Sequence, residues 1–267
     1  MRNESPPPFL TSVYSNNRIF INGVLSLCLG IVVWEGIDRI FNDKDFFSGP
    51  DEVFLEYIHL FREGSIWEHM RYSASEAAYG FALAVFVGVT LGSLIAFSRT
   101  LDEMFSPILI GLYATPRSVV APLFIIWFGL GIGSKIAVIF IASFFPITIN
   151  TTAGIKNVEG EYRMLGRAFN ISWWAMLTKI IVPGSLPFMI AGLRLGYSRA
   201  VVTIMVAEIF GSEAGLGYMI VRASQTFHVA EMMVGISMLT IWGILGNEIL
   251  KFCERRASPH KQSLGPA

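Results

Sequence analysis

The sequence predicts an all-α, polytopic membrane protein of about six transmembrane helices, and three observations carry that expectation. Of its 267 residues 53% are apolar and only 15% are charged, with a mean hydropathy of +0.56, far from a soluble domain of this size. The apolar residues gather into runs close to the roughly 20 residues that cross a bilayer core. The runs are continuous rather than alternating, which argues against a membrane barrel, and an open sheet edge has no partners in lipid.

The first run, 19–40, follows Arg2, Pro6-Pro7-Pro8 and Arg18. It ends in Trp34-Glu35 rather than in a small-residue cleavage site, so it reads as an uncleaved span, not a signal peptide. The second, 77–97, holds no charged residue, and Gly80, Ala84, Gly88, Gly92 and Ala96 recur along it every four residues. Small residues at that spacing let another helix approach closely. The third, 104–127, contains Arg117, and the fourth, 136–155, is free of charge. Runs 186–210, with Arg194, Arg199 and Glu208, and 232–250, with Glu248 near its end, complete the six. Pro107, Pro116, Pro122 and Pro146 are expected to break or kink their spans.

Charge placement gives the direction. Segment 42–72 carries seven acids (Asp43, Asp45, Asp51, Glu52, Glu56, Glu63, Glu68) against Lys44, Arg62 and Arg71, and is expected outside. The connection after the fourth run carries Lys156, Arg163, Arg167 and Lys179, and the C-terminal tail carries Lys251, Arg255, Arg256 and Lys261. Both are expected inside, with both termini cytoplasmic. The expected organisation is a tail at 1–18, a first span at 19–41, an external segment at 42–72, a core at 73–250 and a tail at 251–267.

Several function classes fall away. Basic and acidic residues balance at 20 each, so no overall field favours nucleic acid. Cys28 and Cys253 lie far apart, and His59, His69, His228 and His260 are scattered, so no metal site is expected. The cluster Gly129-x-Gly131-x-Gly133 lacks the lysine of a phosphate-cradling loop, and Ser134-Lys135 reverses the required order.

The internal segment 155–183 is longer than an ordinary connection. It reads as two helical pieces with Asn157 and Ser172 as N-caps. The second piece opens with Trp173-Trp174-Ala175-Met176-Leu177, apolar and aromatic although it faces the cytoplasm. Such a patch is an interface or a helix lying on the headgroups.

Ile180, Val182 and Pro183, followed by Gly184-Ser185-Leu186-Pro187 and Gly192-Leu193-Arg194, resemble the end of the coupling loop in permeases of bacterial binding-protein-dependent ABC importers. That loop carries a Glu-Ala-Ala triplet, three residues, a Gly, nine residues, then Ile-x-Leu-Pro. Counting back from Pro183 puts the triplet on Met164-Leu165-Gly166 and the Gly on Asn170, so this chain lacks both the acid and the glycine. Asn is the next best residue for a left-handed turn. Ser48-Gly49-Pro50, Tyr79-Gly80-Phe81-Ala82, Thr115-Pro116 to Pro122-Leu123, Trp127-Phe128-Gly129, Phe145-Pro146-Ile147, Asn150-Thr151, Ala207-Glu208 and Gly215-Leu216-Gly217 also resemble the family, especially its nitrate/sulfonate/taurine/bicarbonate branch.

The resemblance implies a type I permease fold in the cell inner membrane. It also implies a second permease subunit, as a homodimer, enclosing a path for a small solute such as a sulfonate, nitrate or carboxylate. Two ATPase subunits would dock on the internal loop and bind ATP-Mg there, with no cofactor in this chain, and an external binding protein would deliver the solute. Trp173, Trp174 and Leu177 would be the docking anchors. For the path, Arg117 would attract an anion, or pair with Glu208 as a structural alternative; Arg199, Thr115, Ser118, Thr203 and Glu208 are the other candidates. An ion-coupled secondary transporter is the alternative, but it would normally show an internal repeat, and none is visible.

Overall fold

The computed structural model describes residues 18–41, 43 and 46–257, apart from the side chains of residues 18–20, 117, 118, 159–161 and 163–168. The tails at 1–17 and 258–267, with Arg2, His260 and Lys261, lie outside the described residues, as do Asn42, Lys44 and Asp45. The described residues form helices and no strand: α1 (Arg18–Phe41), α2 (Pro50–Glu63), α3 (Ser65–Phe97), α4 (Arg99–Tyr113) and α5 (Arg117–Phe128). There follow α6 (Ile132–Ala168), α7 (Trp173–Met176), a π-turn (Leu177–Ile181), α8 (Val182–Ile209), α9 (Leu216–Gln225) and α10 (Val229–Ala257).

Four stretches among the described residues are long and apolar enough to cross a membrane: Ser65–Phe97, Ile132–Val158, Trp173–Ile209 and Val229–Arg256. Two of the six expected spans differ from these. Run 19–40 is helical as α1, and Trp34 anchors it by donating from Nε1 to the Ser48 carbonyl at 2.9 Å. Run 104–127 is not one helix. It divides into α4 and α5, with the break at Ala114, Thr115 and Pro116. Pro116 has no N–H to donate and pushes Thr115 out of the helical region, so the apolar run is cut in spite of its hydropathy. Arg117 therefore opens α5 instead of sitting in mid-span.

The segment 42–72, expected outside, is largely helical where it is described. Pro50 stands at the first position of α2, where a missing N–H costs nothing. Gly64, at φ 79°, ends α2 in the left-handed conformation and α3 begins at once. At about 1.5 Å per residue α3 is about 50 Å long, well beyond a hydrocarbon core of about 30 Å.

The core is a sandwich with α6 in the middle, α3 on one side and α8 on the other. The small-residue stripe makes the first contact. A Cβ on Gly80 would meet Ile139 Cγ2 at 2.7 Å, and one on Gly92 would meet the Thr148 carbonyl oxygen at 2.8 Å. On the opposite face, a Cβ on Gly192 would meet Asn150 at 2.7 Å and one on Gly196 would meet Ile147 at 2.8 Å. Close approach brings hydroxyls within reach of neighbouring backbone. Thr152 donates to the Gly92 carbonyl and Ser143 to the Gly196 carbonyl, each at 3.0 Å. Such contacts replace the hydrophobic drive that lipid does not provide.

Around this sandwich α10 packs on α8 and α9, and α2 packs on α10. A second apolar core joins Val53 and Leu60 of α2 to Ile66, Leu216, Met219, Ile220, Val234 and Leu239. Tyr57 of α2 and Ser237 of α10 share a hydrogen bond at 2.6 Å. Arg194 of α8 bonds Glu254 of α10 at 2.6 Å.

Candidate functional site: an aromatic surface and a clasp at opposite ends of the bundle

The segment 155–183, expected inside, is built as a continuation of two core helices. α6 runs on through Asn157 to Ala168, so Asn157 lies within a helix and is no N-cap. A capping residue acts only where the chain enters a helix, and here the preceding span does not end. Met164, Leu165 and Gly166 belong to this last part of α6. The chain turns at Phe169 and Asn170, where Asn170 takes φ 52°, in the left-handed region. Ser172 caps α7, its Oγ accepting from the Ala175 N–H at 3.4 Å.

From there the chain enters α8 through the π-turn at Leu177–Ile181, whose last amide bond runs from Val182 N–H to the Leu177 carbonyl. Pro183 follows directly. A proline ring clashes with the carbonyl four residues earlier and cannot donate, and a wider turn before it relieves both problems.

The two faces of this corner differ. Met176 and Ile181 are buried against Ile155 and Val158 of α6, with Ala96 of α3 and half-buried Leu177 and Ile180 around them. Leu177, one of the expected docking anchors, is half-buried in this corner. The tryptophans point outward. Trp174 is 73% exposed and Phe169 75%, with Trp173 and Ile171 also exposed. Trp173 is held from behind by an edge contact to Phe97, the last residue of α3, at 5.6 Å. Val182 and Pro183 are exposed beside them.

The base is tied to α4 as well. Lys156 of α6 donates to Asp102 at 2.6 Å, and Ser106 donates to the same carboxylate at 2.6 Å. The Lys156 bond first, then the Ser106 bond, hold the Asp102 carboxyl below the usual carboxylate range. The result is an apolar, aromatic surface on a base joined to α3, α4, α6 and α8.

The opposite end of the same helices holds a buried polar cluster that sequence reasoning missed. α9 starts at Leu216 behind Gly215, whose φ of 125° excludes other side chains and which has none of its own to cap with. Three neighbouring N–H groups are satisfied from elsewhere. Gly215 donates to His69 Nδ1 at 3.1 Å, Leu216 to Ser73 Oγ at 2.8 Å, and Gly217 to Glu208 Oε2 at 2.5 Å. Ser73 in turn donates to Glu208 Oε1 at 2.5 Å.

This geometry accounts for the glycines of Gly215-Leu216-Gly217. A Cβ on Gly215 would lie 2.4 Å from the Glu208 carboxyl carbon, and one on Gly217 would lie 2.9 Å from its Oε2. Nearby, Glu76 of α3 pairs with Lys135 of α6 at 3.1 Å, both buried. His69, Ser73 and Glu76 follow the i, i+4, i+7 spacing that places residues on one helical face. That spacing was the available signal.

The expected path residues therefore separate. Glu208 is 1% exposed with both oxygens engaged by Ser73 and Gly217, and Thr203 is 5% exposed. Both are packed inside the bundle. Thr115 and Arg199 are exposed. Arg117 and Ser118 open α5, and their side chains lie outside the described residues. Among the described residues no group of three or more metal-ligating side chains converges.

Comparison with known proteins gives a consistent result. Residues 88–260 match the binding-protein-dependent transport system inner membrane component family. A permease protein of Bacillus subtilis (strain 168), named for aliphatic sulfonates transport, is 32% identical over 238 residues, covering 89% of this chain and 86% of the relative. The formylaminopyrimidine transport permease protein ThiX of Halalkalibacterium halodurans is 29% identical, covering 87% and 92%. The taurine transport system permease protein TauC of Escherichia coli (strain K12) is 27% identical, covering 88% and 87%. Among solved structures, a chain of an inward-facing MetNI methionine ABC transporter superposes with a TM-score of 0.57 at 15% identity, over 72% of this chain and 94% of that one. A chain of an amino acid ABC transporter with histidines gives 0.59 at 15%, over 76% and 96%. At that identity the likeness speaks to the fold.

Proposed function

From the membership of this chain in the family of binding-protein-dependent transport system inner membrane components, which makes it a permease subunit of an ABC importer, we propose that it moves a small organic or inorganic anion, driven by a separate ATPase docked on the Phe169–Trp174 corner. The observation that carries the reading is the exposed aromatic surface of Phe169, Ile171, Trp173 and Trp174 on a buried base of Met176, Ile181, Ile155 and Val158. A few aromatic anchors in a desolvated groove typically dominate an interface. Because the base is part of α6 and α8, a displacement of the corner is carried along those helices to their far ends.

The same family logic supplies the other partners: a second copy of this chain across the path, two ATPase subunits holding ATP-Mg, and an external solute-binding protein. Both termini would then face the cytoplasm. The relatives named for sulfonates and taurine favour an anionic solute, and Arg117 and Arg199 are the cations available to attract it. A cation in a water-poor path is costly unless it has an anion to meet.

Co-purification tests the docking surface. Co-expressed with its ATPase, the chain should retain that subunit in detergent, and Trp173→Ala combined with Trp174→Ala should release it while the permease stays monodisperse. Retention of the ATPase by the double variant would remove the corner from the interface. Solute uptake driven by an ion gradient with no ATPase present would overturn the reading as a whole.

A further inference from the structure

We infer that Glu76 and Glu208 hold one proton between them, so that the buried polar cluster beside α9 is a proton-binding site. The two side chains come from different core helices, Glu76 from α3 and Glu208 from α8, and each residue is 1% exposed. Their carboxyl groups lie within hydrogen-bond reach of each other. As carboxylates both are acceptors only, so no bond joins them unless a hydrogen is added. Accordingly, Glu76 Oε2 is buried with no hydrogen-bond partner among the described residues.

The charges around the pair point the same way. Lys135 of α6 meets it through Glu76 at 3.1 Å and is buried as well. His69 adds no charge. Its Nδ1 accepts from the Gly215 N–H, whereas a charged ring carries protons on both nitrogens and cannot accept. Arg222 of α9 pairs with Glu231 of α10, and these two, with Glu68 of α3, face His69. Two carboxylates against one ammonium would leave an unbalanced negative charge out of water, which is costly. Carboxyl groups crowded into one site avoid that state by keeping a proton.

A single proton meets both needs. On Glu76 Oε2 it makes the orphan atom a donor to the Glu208 carboxylate, while Oε1 stays with Lys135. Glu208 keeps its bonds from Ser73 and from the Gly217 N–H, each at 2.5 Å, because a carboxylate oxygen can accept more than one hydrogen. The cluster is then neutral, with one carboxylic acid, one carboxylate and one ammonium. A metal ion is a poorer occupant: it would stand beside that ammonium, and no group of three or more ligating side chains converges among the described residues. The site rests on the packing of α3, α6 and α8 and does not depend on which solute is carried.

Infrared spectroscopy of the full chain in lipid nanodiscs tests the site. The glutamate side-chain carboxyls are labelled with carbon-13, so that their bands are told apart from those of aspartate. At neutral pH the exposed glutamates are ionised. The unaltered chain should nevertheless show the carbonyl band of a protonated glutamic acid, with the intensity of a single group. Glu76→Gln and Glu208→Gln, each close in shape to the acid it replaces, should both lose that band, because the carboxylate left beside Lys135 then has its charge balanced. Monodisperse elution and a cooperative melt check that each variant is folded. Absence of the band from the unaltered chain would overturn the proposal, even if neither variant folds. A band that survives in either folded variant would assign the proton to one residue alone and overturn the sharing. No band, together with a melting temperature that rises with sodium at constant ionic strength, would put a metal ion in the site instead.

Discussion

Asp102 is a surface carboxylate with a defined task, since it ties the start of α4 to Lys156 of α6. Its carboxyl is held below the usual range, so the folded form binds protons more weakly than the unfolded chain does. That stability is present above the ordinary carboxylate pKa of about 4 and is lost as pH falls through the lower folded value. Asp102→Asn should therefore melt below the unaltered protein at pH 7. The gap should narrow steadily once the pH passes below about 4, as read by thermal denaturation in detergent. A gap that is constant with pH would assign the effect to packing. At this scale the sequence was only partly legible. Glu208 stands in an apolar run and is expected on the path or beside Arg117; the partners the structure gives it are a serine 135 positions away and a backbone N–H. Backbone donors have no letter in a sequence, so the clasp of His69, Ser73 and Glu208 was invisible although the helical spacing of His69 and Ser73 on α3 was readable.

The stripe on α3 was legible as an element because its information is local. Small residues four apart face one way whatever they touch, and α6 fills the space they leave. Gly92→Val should force the Thr148 backbone and Thr151 away, at a cost of about 1–3 kcal/mol for overpacking. Gly111→Ala, with nothing within 4 Å of the new Cβ, should leave the melting temperature close to that of the unaltered chain. Equal effects from both substitutions would count against the sandwich. The break in the third expected span was legible in a single residue, since Pro116 is expected to break or kink it and α4 ends beside it. Hydropathy averages over a window, whereas Thr115-Pro116 acts on one carbonyl and one pair of dihedrals. Asn157 repeats the lesson: capping propensity expresses itself only where a helix begins.

For the molecule as a whole, composition and apolar runs were enough to give an all-α membrane bundle, and the charge bias gives an expected direction. Single cysteines introduced at Glu56 and at Ile171, with Cys28 and Cys253 replaced, should react with a membrane-impermeant maleimide from opposite sides of intact vesicles. Labelling of both positions from one side would refute the expected topology and, with it, an ATPase on the Trp173 corner. What the runs could not give was the order in which parts depend on one another. Since α9 carries no cap of its own and borrows acceptors from α3 and α8, it has no stable seat until both of those helices lie in place. During synthesis α3 reaches the bilayer about 140 residues ahead of α9, and α8 directly before it. Until His69, Ser73 and Glu208 stand beside it, the first turn of α9 has three amides with nothing to accept from them.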